Sequence, residues 1–249
     1  MKPKSTLDSQ ILKKFQNLQY DKQKLESLAL DPDIVNASLY SIKHPGEQKD
    51  KALTIKAKTL NKPILYVFRH GESYDNKNHV FSGWRDSDLT PKGIKQAQVL
   101  AEKLKSEHLD IAYTSKLIRA KKTLDIILKT HPDTKIIIDQ RITERDYGDI
   151  AGLNKDNLYQ FNTKLATAFR RSYDFPPPNG ESLKDVEIRV IDFIKDLIPK
   201  MKQENINVAI SCHGNSMRVI RRYFEKLSIK QMLLLENPLG IDYCSYSIN

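Results

Sequence analysis

Two stretches of this chain run an apolar segment into histidine and then glycine. Arg69-His70-Gly71-Glu72-Ser73 follows Ile64–Phe68, and His213-Gly214-Asn215-Ser216 follows Val208–Cys212. Both apolar runs have the length of a buried strand. Each His then sits at a strand tip, and each Gly sits where the backbone must turn tightly or admit a ligand. A third run ends Tyr113-Thr114-Ser115, with Arg119 one turn into the next helix, and a fourth leads to Glu144-Arg145-Asp146-Tyr147-Gly148. If these strands share one open sheet, His70, His213, Arg69, Arg119 and Glu144 converge on the rim where such sheets bind ligands. That set suits phosphoryl transfer through nitrogen. A neutral imidazole attacks phosphorus when its other ring nitrogen is held by a hydrogen bond. Forked guanidinium donors cover the phosphoryl oxygens, and helix starts after each Gly add backbone N–H groups. His213 can donate to the same oxygens. Glu144 can give the leaving oxygen a proton and later take one back. With the positive charge supplied by side chains, no metal is required.

Taken singly, each residue has a plainer explanation: a structural histidine, a helix-surface arginine, a surface Glu144-Arg145 pair. Only their joint occurrence at successive strand ends points to a site. A zinc site from His70 and His213 lacks a clear third ligand. Cys212 adjoins His213, but strand alternation turns it to the opposite face, so it is expected in the core.

The positioning elements can be read from caps and periodicity. Thr90-Pro91 pairs an N-cap with Pro at the first helical position, and Ile94, Ala97, Ala101 and Leu104 form one helix face. Ser115 is expected to cap a helix with apolar face Leu117, Ala120, Leu124 and Ile127. Ile111–Thr114 and Lys135–Ile138 read as further strands. Ser182 caps a long helix through Leu183, Val186, Val190, Ile194 and Leu197. Asn215–Leu227 reads as another helix and Tyr243–Ile248 as the last strand. Strand-helix alternation predicts a mainly parallel sheet with helices on both faces.

The first 62 residues differ in composition, with twelve Lys, seven acids and no Arg. Ile11, Phe15, Leu18 and Leu25 recur at roughly helical spacing behind Ser5 or Asp8 as N-cap, and Asp31-Pro32-Asp33 is expected to stop that helix. His44-Pro45-Gly46-Glu47 reads as a loop and Lys49–Lys62 as a linker. We therefore divide the chain into a helical extension and linker, 1–62, and a catalytic domain, 63–249. Every candidate site residue lies in the second part, so a chain starting near Asn61 is expected to turn over almost normally.

The net charge of +10 points to an anionic partner. The extension mixes its charges and, apart from Phe15 on its apolar face, has no aromatic interleaving beyond Tyr20 and Tyr40, which argues against nucleic acid. The longest apolar runs are too short to span a bilayer. The N-terminus has no secretory apolar region, and its acids and lack of Arg argue against a transit peptide. Two cysteines rule out a disulfide scaffold, and reduced cytoplasm is the expected compartment.

The run Leu65-Tyr-Val-Phe-Arg-His-Gly-Glu-Ser73 resembles the signature of the histidine phosphatase superfamily. Phe81-Ser-Gly-Trp84, Tyr113-Thr-Ser-Lys-Leu-Ile-Arg-Ala120, Glu144–Gly148, Gly152-Leu-Asn-Lys155, Phe169-Arg-Arg171 and His213–Ser216 are similar to its 2,3-bisphosphoglycerate-dependent phosphoglycerate mutases. The resemblance covers residues 63–248. It implies an α/β fold, a three-layer α/β/α sandwich around a mixed, mainly parallel sheet. It implies His70 as the phosphorylated nucleophile, Arg69, Arg119 and His213 as phosphoryl-holding groups, and Glu144 as acid and base. Ser73, Asn76, Ser82, Gly83, Arg145, Tyr147, Lys155, Arg170, Arg171, Gly214 and Asn215 would bind substrate. The implied reaction interconverts 3-phosphoglycerate and 2-phosphoglycerate, with 2,3-bisphosphoglycerate as primer and no metal. A phosphatase on the same scaffold would not need Lys155, Arg170 and Arg171. Three segments depart from the family pattern. Ser172–Gly180 replaces a longer insertion, Asn237-Pro-Leu-Gly240 replaces a Pro-Thr-Gly pattern, and the chain stops at Asn249 without a longer tail. Residues 1–62 match nothing in the family.

Overall fold

The computed structural model describes residues 7–44, 53, 56 and 62–249. The amino-terminal part forms three short helices. Helix α1 (Ser9–Gln16) starts at Asp8, whose carboxylate accepts from the Gln10 N–H at 2.7 Å. Asp21 caps α2 (Lys22–Ser27), and Asp31 caps α3 (Pro32–Lys43), accepting from the Asp33 N–H at 2.9 Å. This corrects two expectations. The chain breaks between α1 and α2 rather than continuing to Leu25, and Asp31-Pro32 opens a helix as well as ending the segment before it. The reason is that an acidic cap followed by Pro is preorganised for a first turn, where the missing N–H costs nothing. Ser5, and residues 45–61 apart from Leu53 and Lys56, lie outside the described residues. Lys56 Nζ lies 3.0 Å from the Asp242 carboxylate.

From residue 63 the expected alternation appears. It runs β1 (Ile64–Arg69), α4 (Tyr74–Lys77), α5 (Pro91–Leu104), β2 (Ile111–Thr114), α6 (Ile118–Ile127) and β3 (Lys135–Ile138). It continues with α7 (Lys155–Phe161), α8 (Thr163–Arg171), α9 (Leu183–Glu204), β4 (Val208–Cys212), α10 (Gly214–Glu225), α11 (Ile229–Leu234) and β5 (Tyr243–Ser247). The strands are ordered β3-β2-β4-β1-β5, with β5 antiparallel and the others parallel. Leu65, Val67, Val208 and Ile210 pack under α9 and α10, and Tyr66, Phe68, Ala112 and Ala209 pack under α5 and α6. Strand alternation thus feeds two cores and makes the three layers.

Two local expectations fail. Ile94 is exposed at 41%, because α5 turns Gly93, Gln96, Ala97 and Leu100 inward instead. Ser115 stands two residues before the Leu117 N-cap, and its hydroxyl is taken up by His213 as well as by the Leu117 N–H. Ser182 caps α9 as expected, with a reciprocal bond from Asp185. A third apolar cluster joins the extension to the catalytic domain: Phe15, Leu18 and Leu25 pack with Phe81, Tyr147, Phe169 and Phe175. No helix among the described residues is long and apolar enough to cross a membrane.

Candidate active site

The register of the central strands brings the two histidines together. Arg69 pairs with Cys212 across β1 and β4, and the His70 N–H donates to the Cys212 carbonyl at 3.1 Å. The imidazole centroids are 5.1 Å apart. His70 Nδ1 lies 2.7 Å from the Gly71 carbonyl oxygen. A carbonyl only accepts, so Nδ1 carries the proton and Nε2 keeps the lone pair. Gly71 is required there, because a Cβ would stand 2.3 Å from the Gly93 carbonyl oxygen at the start of α5. His213 Nε2 is hydrogen-bonded to the Ser115 hydroxyl at 2.8 Å, and the same oxygen accepts from Leu117 N–H. His213 Nδ1 is buried without a protein partner.

Arg119 is buried on the first turn of α6. It donates to the carbonyls of Arg85 and Gly83, both at 2.8 Å, which ties the loop after Phe81 to the sheet rim. Gly83 has φ +53°, the left-handed backbone that turns its carbonyl toward Arg119. Arg69 donates to the Asn237 carbonyl at 3.1 Å. The Glu144 carboxylate accepts from the N–H groups of Arg145 at 2.9 Å, Gly214 at 3.0 Å and Asn215 at 3.1 Å, and from Asn215 Nδ2 at 3.0 Å. The start of α10 is thereby an anion cradle filled by Glu144.

Charge follows from this geometry. Burial, then Arg119, His213 and Arg69, hold His70 well below the ordinary histidine range. Burial, Arg119 and Arg69 do the same for His213. Both rings are neutral at pH 7. Burial alone would raise Glu144, but the Arg145 N–H, Arg69 and Arg119 overcome it and hold the carboxyl ionised. Cys212 is fully buried with its thiol pushed up, mainly by burial, so it is a core residue as expected.

One cavity opens over these groups. Arg69, His70, Arg119, Glu144 and Gly214 form its floor residues, and Asn76, Ser82, Gly83, Tyr147, Lys155 and Arg170 also line it. Other expected binding residues stand behind this lining. Ser73 caps α4 by a reciprocal bond with Asn76. Arg145 is buried and donates to the carbonyls of Glu181 and Phe175, holding down the short 172–180 bridge. Asn215 holds Glu144. Arg171 turns to Glu236 and to the Leu233 carbonyl. Two lining residues, Arg218 and Glu236, were not anticipated. Arg218 lies one turn after Gly214 on α10, and that i+4 spacing is the signal that would have found it. Glu236 carries no comparable local signal.

The extension contacts one residue of this cavity. Arg170 donates to the main-chain carbonyl of Ser38 in α3 at 3.2 Å. The Ser38 hydroxyl is paired with the Tyr159 hydroxyl of α7, and Lys230 bridges Asp31 at 2.8 Å and Asp33 at 2.7 Å.

Comparison with known proteins agrees with this geometry. A model of the histidine phosphatase superfamily (branch 1) matches residues 65–248. The 2,3-bisphosphoglycerate-dependent phosphoglycerate mutase of Nitrobacter winogradskyi is 41% identical over 187 residues, covering 73% of this chain and 90% of the relative. The phosphoglycerate mutase of Schizosaccharomyces pombe is 42% identical over 183 residues, covering 72% and 87%. A solved mycobacterial glucosyl-3-phosphoglycerate phosphatase shares the fold with a TM-score of 0.67 at 22% identity, over 74% of this chain and 91% of that one. With paired strand-tip histidines, buried arginines and this family match, the chain belongs to the histidine phosphatase superfamily, branch 1.

Proposed function

We propose that the protein is a 2,3-bisphosphoglycerate-dependent phosphoglycerate mutase, acting in the cytoplasm in glycolysis and gluconeogenesis. One observation carries this reading: the cavity is lined by two sets of cations. Arg69 and Arg119 stand with His70, whose ring lies 5.1 Å from that of His213, and Lys155, Arg170 and Arg218 form a second set with Glu236 among them. Hydrolysis of a simple phosphomonoester needs only the first. The residues also fit the primer, because Arg69 Nε and Arg119 Nε are buried donors without a protein partner, and His213 Nδ1 is a buried ring nitrogen without one. Such donors are costly unless an anion takes them up.

When bound, 2,3-bisphosphoglycerate supplies the phosphoryl group that loads the site. His70 presents Nε2 in the nucleophilic tautomer, because Gly71 holds the other nitrogen. Arg69, Arg119 and His213 donate to the phosphoryl oxygens. Glu144 starts as a carboxylate, so it first takes a proton from a hydroxyl that attacks phosphohistidine and later returns it to a leaving oxygen. Incoming phosphate charge offsets Arg69 and Arg119, which raises the Glu144 proton affinity as the acid role requires.

A phosphatase on the same scaffold is the second reading, favoured by the short 172–180 bridge that stands where the family has a longer insertion. Product analysis separates the two. With 3-phosphoglycerate, formation of 2-phosphoglycerate should depend on added 2,3-bisphosphoglycerate. Phosphate released faster than 2-phosphoglycerate forms would establish the phosphatase.

A further inference from the structure

The peptide between Glu144 and Arg145 is held at both of its polar groups. Its N–H, on Arg145, donates to the Glu144 carboxylate at 2.9 Å. Its carbonyl, on Glu144, accepts from Trp84 Nε1 at 2.7 Å and from Arg189 Nη2 at 3.0 Å. A peptide unit is planar, so the direction of the carbonyl fixes the direction of the N–H. Whatever aims that carbonyl also decides whether the Arg145 N–H meets the carboxylate. The same N–H is one of the groups that keep Glu144 ionised against burial.

Arg189 belongs to α9 and is not among the residues lining the cavity. A guanidinium has five N–H donors, and all five are used here. Nε and Nη2 fork onto the Glu181 carboxylate at 2.8 and 2.9 Å. Nη1 donates to the Arg141 and Thr143 carbonyls, both at 2.8 Å, and Nη2 gives its other hydrogen to Glu144. Three carbonyls of the run leading into Glu144 thus converge on one planar group. Glu181 extends the hold past Glu144. Its carboxylate accepts from the Asp146 N–H at 2.9 Å, and its carbonyl accepts from Arg145 Nε at 2.6 Å. Leu183, Val186 and Val190 anchor this part of α9 in the core, so the guanidinium is carried by a fixed element. Trp84 is 51% exposed, which leaves the five-bond hold of Arg189 as the firmer of the two on the Glu144 carbonyl.

We propose that Arg189 is a positioning residue for Glu144, setting the Glu144–Arg145 peptide so that the carboxylate stays aimed at the reacting oxygen. Its role rests on the reading of Glu144 as acid and base. Lysine cannot replace it, because one ammonium cannot span three carbonyls and the Glu181 carboxylate together.

The test follows single-turnover labelling of His70 in the full chain. When Nε2 attacks phosphorus in 2,3-bisphosphoglycerate, the phosphorus–oxygen bond breaks, its electron pair stays on the leaving oxygen, and Glu144 supplies that oxygen's proton. Labelled 2,3-bisphosphoglycerate is given to wild type, Arg189→Lys, Glu144→Gln and the double variant. Arg189→Lys should slow labelling about 10- to 100-fold, the scale of a reacting group displaced by about 1 Å. Added to Glu144→Gln, the same substitution should cost less than about threefold, since no carboxylate is left to aim. With p-nitrophenyl phosphate, whose phenolate leaves without a proton, Arg189→Lys should stay within about threefold of wild type. Unchanged labelling by Arg189→Lys would overturn the proposal, as would equal slowing in both backgrounds or with both donors. If Arg189→Lys does not fold, Arg189→Gln carries the same comparison. Failure of both to fold would make Arg189 a structural tie and also overturn the proposal. If Glu144→Gln labels as fast as wild type, the acid role of Glu144 is what fails, and the positioning role falls with it.

Discussion

Arg170 Nη1 donates to the Ser38 carbonyl oxygen at 3.2 Å, across 132 residues of chain. The same serine pairs with Tyr159, and the start of its helix is pinned to α11 through Lys230. The amino-terminal helices thus clamp the part of the cavity wall that carries Lys155 and Arg170.

Deletion of residues 1–61 measures that clamp. Arg170 would lose its acceptor, and Phe169 and Phe175 would lose the packing of Phe15, Leu18 and Leu25. In a deleted chain that still folds, we expect KM for 3-phosphoglycerate to rise about tenfold, roughly 1.4 kcal/mol. Hydrolysis of a small phosphomonoester should change by less than about threefold. An unchanged KM would restore the simpler expectation that the extension is dispensable.

His70→Ala tests the nucleophile. Labelled 2,3-bisphosphoglycerate should give wild type an acid-labile, base-stable phosphoryl label, and the variant none. Label retained in the variant would move the nucleophile elsewhere. Chelation by EDTA should leave labelling intact, because Arg69, Arg119 and His213 supply the positive charge.

The pH dependence follows from the neutral His70. Its pKa in the folded protein is depressed, chiefly by burial and by Arg119. Falling pH therefore leaves the ring unprotonated through the range where a free histidine titrates, near about pH 6.5. Single-turnover labelling of His70 should lose little rate between about pH 7.5 and 6.5. Loss of half the rate at about pH 6.5 would mean that His70 titrates as an exposed histidine does.

Arg170→Ala should lower kcat/KM for 3-phosphoglycerate about 10- to 100-fold, the loss of one charge-assisted contact of about 1.5–3 kcal/mol. A small phosphomonoester lacks the group that Arg170 would bind, so its hydrolysis should fall much less. Parallel losses on both substrates would make Arg170 structural.

Much of this site could be read before the fold was known, because it rests on short-range signals. Strand tips, the Thr90-Pro91 and Ser182 caps, and the Gly residues after His70 and His213 specify local backbone wherever they occur. What the sequence concealed depends on distant partners. Arg218 reads as one of several basic residues on a helix, and only its i+4 spacing from Gly214 sets it apart as a cavity residue. Glu236 reads as a loop acid until Arg171 and Arg218 surround it. The family resemblance groups Arg171 with Arg170, yet neighbouring helix positions point about 100° apart, so one lines the cavity and the other turns to Glu236. The extension read as an appendage because hydrogen bonds from a backbone carbonyl such as that of Ser38 leave no mark in residue type.

The clamp also imposes an order on how the molecule comes into being. Ser38 leaves the ribosome 121 residues before Tyr159 and 132 before Arg170. At roughly 5–20 residues per second, the first helices wait on the order of ten seconds for the surface they cover. β1 waits longer still, since its neighbours β4 and β5 are made only after α9. His213, Glu236 and Asn237 are made long after β1, so the nascent chain has no assembled centre until they appear. A chain halted between Phe175 and His213 would already hold the apolar surface that covers Phe15, Leu18 and Leu25, and would still lack its second histidine.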